Sequence, residues 1–497
     1  MYTGYGFRSY EIGDVDVVEH EGKYHLFHLT LPNHDYIAHA VSEDGLNWRR
    51  VKNALFISDP RAWDDDMLWT MHVSADPYKP GARRMFYTGL SMFERGRVQR
   101  VGVARSDDLY AWHKDRSGKY PLEIPGIYYE HRIDEGRHWV SFRDPFIFDE
   151  GGQKYLLAAA RVNHGPIIRR GCVALAEEVG RDQFEFHPPL FHPMQYDDLE
   201  VPNLVNLNNR YYLIGSIRED VKVHYWYADS LTGPYKNFSD NVLMPQGNYA
   251  ARVSRAGDRY LVWNFFFKGL TTRGQHLMAP PKELVVDESG ELRLKSFSGF
   301  ERLAVDSFSP SDTEAMRPLY KNPHAAVQIE AGTCWVRSSS GFEAFLLPGE
   351  HRNFILGGEL HMVGSGKCGL VLRLNDQGDG YYLSLDLYKG IVQVRAWGSK
   401  AGGSVEESFH YQQLQAAHYV PKRDAHPFRL IAYEQYIELS IDGYVLLTLA
   451  DDQYTSGEVG FYVESAGVRI DDMKFTVLDG GETDIYPHGI PETQSLT

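Results

Sequence analysis

The sequence predicts an all-β protein, a five-bladed β-propeller followed by a C-terminal β-sandwich. Three observations carry that expectation. An aromatic strand pattern recurs five times in the first three hundred residues, long alternating strands replace it from Ala326 onward, and the composition joins 13% aromatic residues to 46 Gly. Aromatic residues favour strands and Gly favours tight turns, so little helix is expected.

The stretches 23–27, 84–88, 154–157, 210–213 and 259–263 each open with Lys or Arg after a turn and continue with aromatic and aliphatic residues. A second pattern follows in several of them. In 40–48, 104–112 and 228–235 a strand runs into a Ser/Asp/Gly turn and then an aromatic, Trp48, Trp112 or Tyr235, that can pack on the hairpin. Units spaced at roughly 50 to 60 residues, each supplying about four short strands, are the mark of propeller blades, which close in a ring and leave no long edge unpaired. A linear stack of repeats is disfavoured because neither end carries an atypical polar capping repeat. Residues 1–300 are therefore assigned to the propeller and 301–325 to a linker, the charged, Ser-rich passage 285–311 being read as the last outer strand plus a connection. Strands such as 369–374, 381–387, 428–433 and 437–446 place an antiparallel sandwich over 326–479. The tail, 480–497, is left unassigned.

The formal net charge of −16 argues against a nucleic-acid backbone or an anionic membrane as partner, and no basic run interrupts the acidity. A neutral substrate fits better. Cys172, Cys334 and Cys368 are too scattered for a disulfide framework or a metal site and read as buried thiols. No segment approaches the roughly 20 apolar residues of a membrane span, and a cytoplasmic location is expected.

The stretch 141–148, Ser-Phe-Arg-Asp-Pro-Phe-Ile-Phe, puts the charges of Arg143 and Asp144 at the start of a buried strand, where substrate can reach them. Alone, it reads equally well as a surface ion pair. Two other stretches repeat its layout of acid, apolar run, turn and aromatic strand, one beginning near Asp14 and one at Glu200. Three equivalent acids on three blades follow.

These residues resemble the catalytic motifs of glycoside hydrolase family 32 and its relatives in families 68, 43 and 62: an Asp opening blade one, the Asp of an Arg-Asp-Pro triplet, and a Glu opening a later blade. The likeness runs over nearly the whole chain, including Pro281-Lys282-Glu283-Leu284 at the propeller's end and 437–443 in the sandwich. Two departures stand out. Gly13-Asp14-Val15-Asp16 replaces the family's usual Asn-Asp-Pro-Asn-Gly and fits the spacing of family 43 about as well, and Glu200-Val201-Pro202 replaces Glu-Cys-Pro.

Breaking a glycosidic bond requires one carboxylic acid to protonate the leaving oxygen and one carboxylate to attack the anomeric carbon or activate water. The resemblance implies that Asp14 is the nucleophile and Glu200 the general acid and then base. It also implies that Asp144 grips ring hydroxyls and that Arg143 orients them. Glu200 is expected to have a raised pKa, through the like charges of Asp14 and Asp144 and partial burial. Asp16, two residues on, is the rival nucleophile, and the resemblance favours Asp14. Trp69 stands where relatives place a sugar-stacking aromatic, although a Trp in a blade also suits the core. Asp64, Asp65 and Asp66 read as a solvated charge run, from which the resemblance implies that Asp66 bonds a sugar hydroxyl. His25 and His28 read as structural. The expected activity is retaining removal of a terminal furanosyl unit, most simply fructofuranosyl, from an oligosaccharide or disaccharide substrate, with no cofactor and no metal. An inverting arabinofuranosidase or xylosidase of the family 43 kind, a fructan-building transferase and a sugar-binding propeller without turnover are the alternatives. The oligomeric state is left open.

Overall fold

The computed structural model describes residues 1–4, 9–267, 276–310, 316–330, 332–364, 366–386, 388–399, 409–421 and 423–480. The chain is built almost wholly from strands, in a five-bladed propeller and a sandwich. Among the described residues helix is limited to two 3-10 turns, Ile167–Arg169 and Ser298–Leu303. None of it is long and apolar enough to cross a membrane.

Each blade is an antiparallel meander whose first strand lies innermost. The five inner strands are Ser9–His20, Met67–Ala75, Phe142–Glu150, Glu200–Leu207 and Asn248–Ala256. They pack on one another in chain order, and the fifth returns against the first, which closes the ring. The aromatic pattern read from the sequence is the second strand of every blade, Lys23–Pro32, Arg83–Leu90, Gln153–Arg161, Arg210–Ile217 and Arg259–Phe266. Its rings and aliphatic side chains fill the wedges between blades. Trp112, for example, meets Phe27 edge to face with centroids 5.5 Å apart.

Every inner strand is broken at the same place. Its register against the second strand shifts between Ile12 and Val15, Trp69 and Met71, Arg143 and Phe146, Glu200 and Asn203, and Tyr249 and Arg252. Pro145 and Pro202 occupy two of these bulges, where the missing N–H costs no ladder bond. Asp144, Val201 and Ala250 take left-handed backbone there, with φ of 58°, 49° and 50°. Non-Gly residues visit that region at a cost, and bulges of this kind re-aim side chains. Just past the break, one blade is tied to the next. Asp16 accepts the Val73 N–H at 2.6 Å, and Asn203 accepts the Val253 N–H at 3.1 Å.

In the sandwich, two antiparallel sheets enclose a core that includes Leu356, Leu370, Leu383, Leu430, Leu439 and Phe461. The stretch 301–325, expected as a linker, is partly sandwich. Ala304–Phe308 pairs with Gly467–Leu478, and Arg317–Pro318 pairs with Phe342–Leu346. Both are short edge segments, largely exposed, so they carry no apolar alternation to betray them. The expected tail lies outside the described residues apart from Gly480. Propeller and sandwich share a core, in which Phe266 and Phe300 pack with Ile431, Tyr433 and Tyr436.

Candidate active site

The bulges set the site. Arg143, Glu200 and Tyr249 occupy the same position, the last residue before the break, in blades three, four and five. Equivalent positions on adjacent blades of a ring point toward a common mouth, and here they bond. Arg143 donates from Nη2 to Glu200 Oε1 at 2.7 Å, and the Tyr249 hydroxyl donates to the other oxygen, Oε2. Asp144 follows Arg143 in the bulge. Its Oδ2 accepts the Val201 N–H at 3.0 Å and lies 3.7 Å from Arg143 Nε, while its own N–H donates to Thr88 Oγ1 at 3.1 Å.

Asp14 enters from blade one and accepts a hydrogen bond from the Thr70 hydroxyl of blade two. It lies within the electrostatic reach of Asp144 and Glu200. Asp14, Asp144 and Glu200 thus share one site with Arg143.

Burial pushes Asp14 up to about 7, helped by the charge of Asp144 and, less, of Glu200, and opposed by the Thr70 hydroxyl and by Arg252. Glu200 is also raised, first by burial; Arg143 acts against the rise, Asp144 and Asp198 add to it, and Tyr249 steadies the carboxylate. The direction expected for Glu200 agrees, but burial rather than the charge of Asp14 is its leading cause. Burial thus raises the affinity of both carboxyl groups for a proton.

A pocket of about 630 Å³ opens over Arg143 and Glu200, with Trp69, Gln99, Trp139 and Asp198 among its lining residues. The Trp69 Nε1 is buried and has no hydrogen-bond partner in the protein. Trp139 is 42% exposed and carries the Arg137 guanidinium over its ring at 4.3 Å. Arg137 donates to Asp198 Oδ2 at 2.6 Å, and Asp198 Oδ1 lies 3.5 Å from Arg143 Nη1, which links the pocket wall to the acid.

Asp16, the rival of Asp14, is 2% exposed and occupied by the Val73 amide and the His72 ring at 3.3 Å. Asp64 and Asp65 are not a solvated run. Asp64 accepts from the Tyr87 hydroxyl at 2.9 Å and from Lys114, and Asp65 accepts the Arg61 and Met92 amides at 2.6 and 2.9 Å. Asp66 lies beside Gly96, itself part of the pocket wall, and burial followed by the charge of Asp65 raises its pKa. His25 and His28 are buried and bonded internally, His25 to His39 at 3.0 Å and His28 to the Tyr2 hydroxyl at 2.8 Å. All three cysteines are free and buried.

Sequence reasoning missed Tyr249, Thr70, Asp198, Arg137, Trp139 and Arg252. For Tyr249 a signal existed, because it precedes Arg259 by the same ten residues that separate Glu200 from Arg210. The others depend on contacts between blades that no local pattern announces.

The model of the glycosyl hydrolases family 32 N-terminal domain matches residues 15–261. A search of curated proteins found no match. Among solved structures, fructan 1-exohydrolase IIa from Cichorium intybus superposes with a TM-score of 0.68 at 15% identity, covering 96% of each chain. Exo-inulinase from Aspergillus awamori gives 0.68 at 15%, covering 96% of this chain and 97% of its own. Sucrose-6-phosphate hydrolase from Lactobacillus gasseri gives 0.67 at 15%, covering 94% of this chain and 91% of its own. At that identity these likenesses speak for the fold, propeller and sandwich together, and the family match covers the blades that carry Arg143, Asp144 and Glu200. The chain belongs to glycoside hydrolase family 32.

Proposed function

We propose that the protein releases terminal fructofuranosyl units from an oligosaccharide or disaccharide by a retaining double displacement. Asp14 attacks the anomeric carbon. Glu200 protonates the departing oxygen and then, as a carboxylate, draws a proton from the water that hydrolyses the glycosyl-enzyme. Asp144 and Arg143 hold ring hydroxyls, and the bonds to Asp144 tighten as positive charge develops on the ring. Trp69 packs on the sugar, Asp66 is placed for a hydroxyl at the pocket wall, and the leaving sugar lies toward Trp139.

The observation that carries the reading is the setting of Glu200. A carboxyl group raised by burial and clasped by Arg143 and Tyr249, in the site that Asp14 enters from blade one, suits a general acid that keeps its proton until the leaving oxygen takes it. Complexes of similar folds with 1-kestose and with sucrose support the substrate class.

The test is purified protein against sucrose, 1-kestose, inulin, levan and aryl furanosides, with free sugar quantified and the product anomer followed by NMR. Free fructose with its anomeric configuration kept is the expected result. Release of arabinose or xylose with inversion would overturn the mechanism, and binding without release from any substrate would overturn the activity.

A further inference from the structure

One side chain beneath the pocket reaches across the whole ring. Arg252 is fully buried, on the inner strand of blade five and three residues past Tyr249. Its guanidinium donates from Nη1 to the Pro202 carbonyl of blade four at 3.0 Å. From Nη2 it donates to the Pro145 carbonyl of blade three at 2.8 Å and to the Met71 carbonyl of blade two at 3.3 Å. The fourth partner is charge. Asp14 and Asp16 of blade one, with Asp144 of blade three, are the acids that act on this guanidinium. The guanidinium also lies over the Phe146 ring, 5.7 Å from its centroid, and Nε is buried without a partner.

The Pro145 and Pro202 carbonyls belong to bulges, and the Met71 carbonyl borders a third. Pro145 follows Asp144, Pro202 lies two residues after Glu200, and Met71 follows Thr70, the donor to Asp14. A register break leaves a carbonyl without its ladder partner, and a buried carbonyl without a donor is costly. One planar fork supplies donors to the two bulge carbonyls and to the carbonyl bordering the third break, which a lysine ammonium could not match in geometry. Burial of a lone cation is itself costly unless opposite charge lies close, and the acids of the site supply that charge.

We propose that Arg252 is the internal cation of this propeller, a positioning residue that locks the bulges carrying Glu200, Asp144 and Thr70 and sets a fixed positive charge under Asp14. The inference rests on the roles proposed above for Asp14 and Glu200. Asp14 is faced by Asp144, Glu200 and Arg252 as charges and by the Thr70 hydroxyl, and the Tyr249 hydroxyl feels its charge. Arg143 and Asp198 act on Glu200. Loss of Arg252 removes the positive charge among the groups that bear most on Asp14, so the affinity of Asp14 for its proton rises.

The experiment compares wild type with Arg252→Lys and Arg252→Gln, reading kcat and KM against pH and the thermal midpoint against pH. Arg252→Gln is expected to move the acid limb of kcat upward by roughly one pH unit, the scale of one unit charge acting over several ångströms at protein-like screening. Its kcat at the new optimum should fall about tenfold to a hundredfold through misplaced groups, with KM changed little. Arg252→Lys should fold and keep the wild-type acid limb while losing part of kcat. A Gln variant that loses rate with its acid limb unmoved overturns the proposal, and so does a Lys variant that does not fold, since either would make Arg252 purely architectural.

The thermal readout needs no substrate. The fall in midpoint between about pH 5 and pH 8 should be steeper in Arg252→Gln than in wild type, because a higher folded pKa for Asp14 widens the proton-binding difference between folded and unfolded chains. Wild-type protein inert to every furanoside would therefore sink the functional reading and still leave Arg252 testable.

Discussion

At Glu200, a carboxyl group that would titrate as an ordinary acid in water is held by Arg143 and Tyr249 in a setting whose burial favours its neutral form. Replacing Glu200 by Gln keeps the shape and removes the proton, so turnover of sucrose should fall by about a hundred- to ten-thousand-fold. On aryl furanosides with acidic leaving groups the first step needs no proton and should lose far less. Equal losses on both substrates in that first step, read as the pre-steady-state burst of leaving group, would remove Glu200 from the acid's role. Asp14 gives a second test, with its sign set by linkage. Its folded pKa, about 7, lies above the ordinary carboxylate value. Between those values the folded chain binds more protons than the unfolded one, so stability is greatest on the acid side and falls as pH rises toward about 7. Asp14→Asn should therefore be inactive yet melt higher than wild type at about pH 8, with the gain shrinking toward about pH 5. A uniform shift at both pH values would contradict the assignment. The acids were legible in the sequence because each stands a short, regular distance ahead of an aromatic strand. Thr70, Asp198 and Arg137 were not, since they earn their places only through partners on other blades or in a loop.

At the scale of the element, the inner strand is the functional unit and its bulge the working part. A strand pointing alternate residues to opposite faces could not present both Arg143 and Asp144 to one site; the left-handed turn at Asp144 lets neighbouring residues serve it together. The ties beyond the bulge hold this geometry. Asn203 accepts the Val253 N–H and donates to the Val201 and Ala251 carbonyls at 2.9 and 2.7 Å. Asn203→Ala would leave those buried groups unpaired and should cost about 2–3 kcal/mol by urea denaturation, with kcat lowered more than KM rises. Asp16 does the corresponding work between blades one and two. Asp16→Asn keeps an acceptor for Val73 and should stay folded and active, whereas an inactive but folded Asp16→Asn would reopen its claim to the nucleophile's role. The hairpins were readable from period and turn residues. Prolines at 145 and 202 hinted at breaks, but the break in blade five has Ala250 and Ala251 there and shows no such sign.

Across the whole molecule, the ring closes by packing of the first inner strand on the last, and the sandwich seals one side of it. Phe266 and Phe300 meet Tyr433 and Tyr436, while Asn248, the neighbour of Tyr249, donates to the Thr448 carbonyl at 2.9 Å. A shared apolar core of this kind couples the two parts, so calorimetry of the full chain should give one transition. A propeller ending near residue 303 would expose those aromatic rings and should aggregate; a soluble, active fragment would show the sandwich to be dispensable. The sequence by itself determined the strand class, the five-fold repeat, the sandwich and the three acids with Arg143, because periodicity, turn chemistry and motif spacing are local properties of a chain. Only the tertiary structure decided that 301–325 contributes edge strands, that Asp64 and Asp65 are buried structural acids, that Tyr249 clasps Glu200 and that Arg252 spans the ring. Those outcomes depend on which blades meet at the axis and how deeply water is excluded there, and both are set by closure of the fold, which no single stretch of sequence encodes.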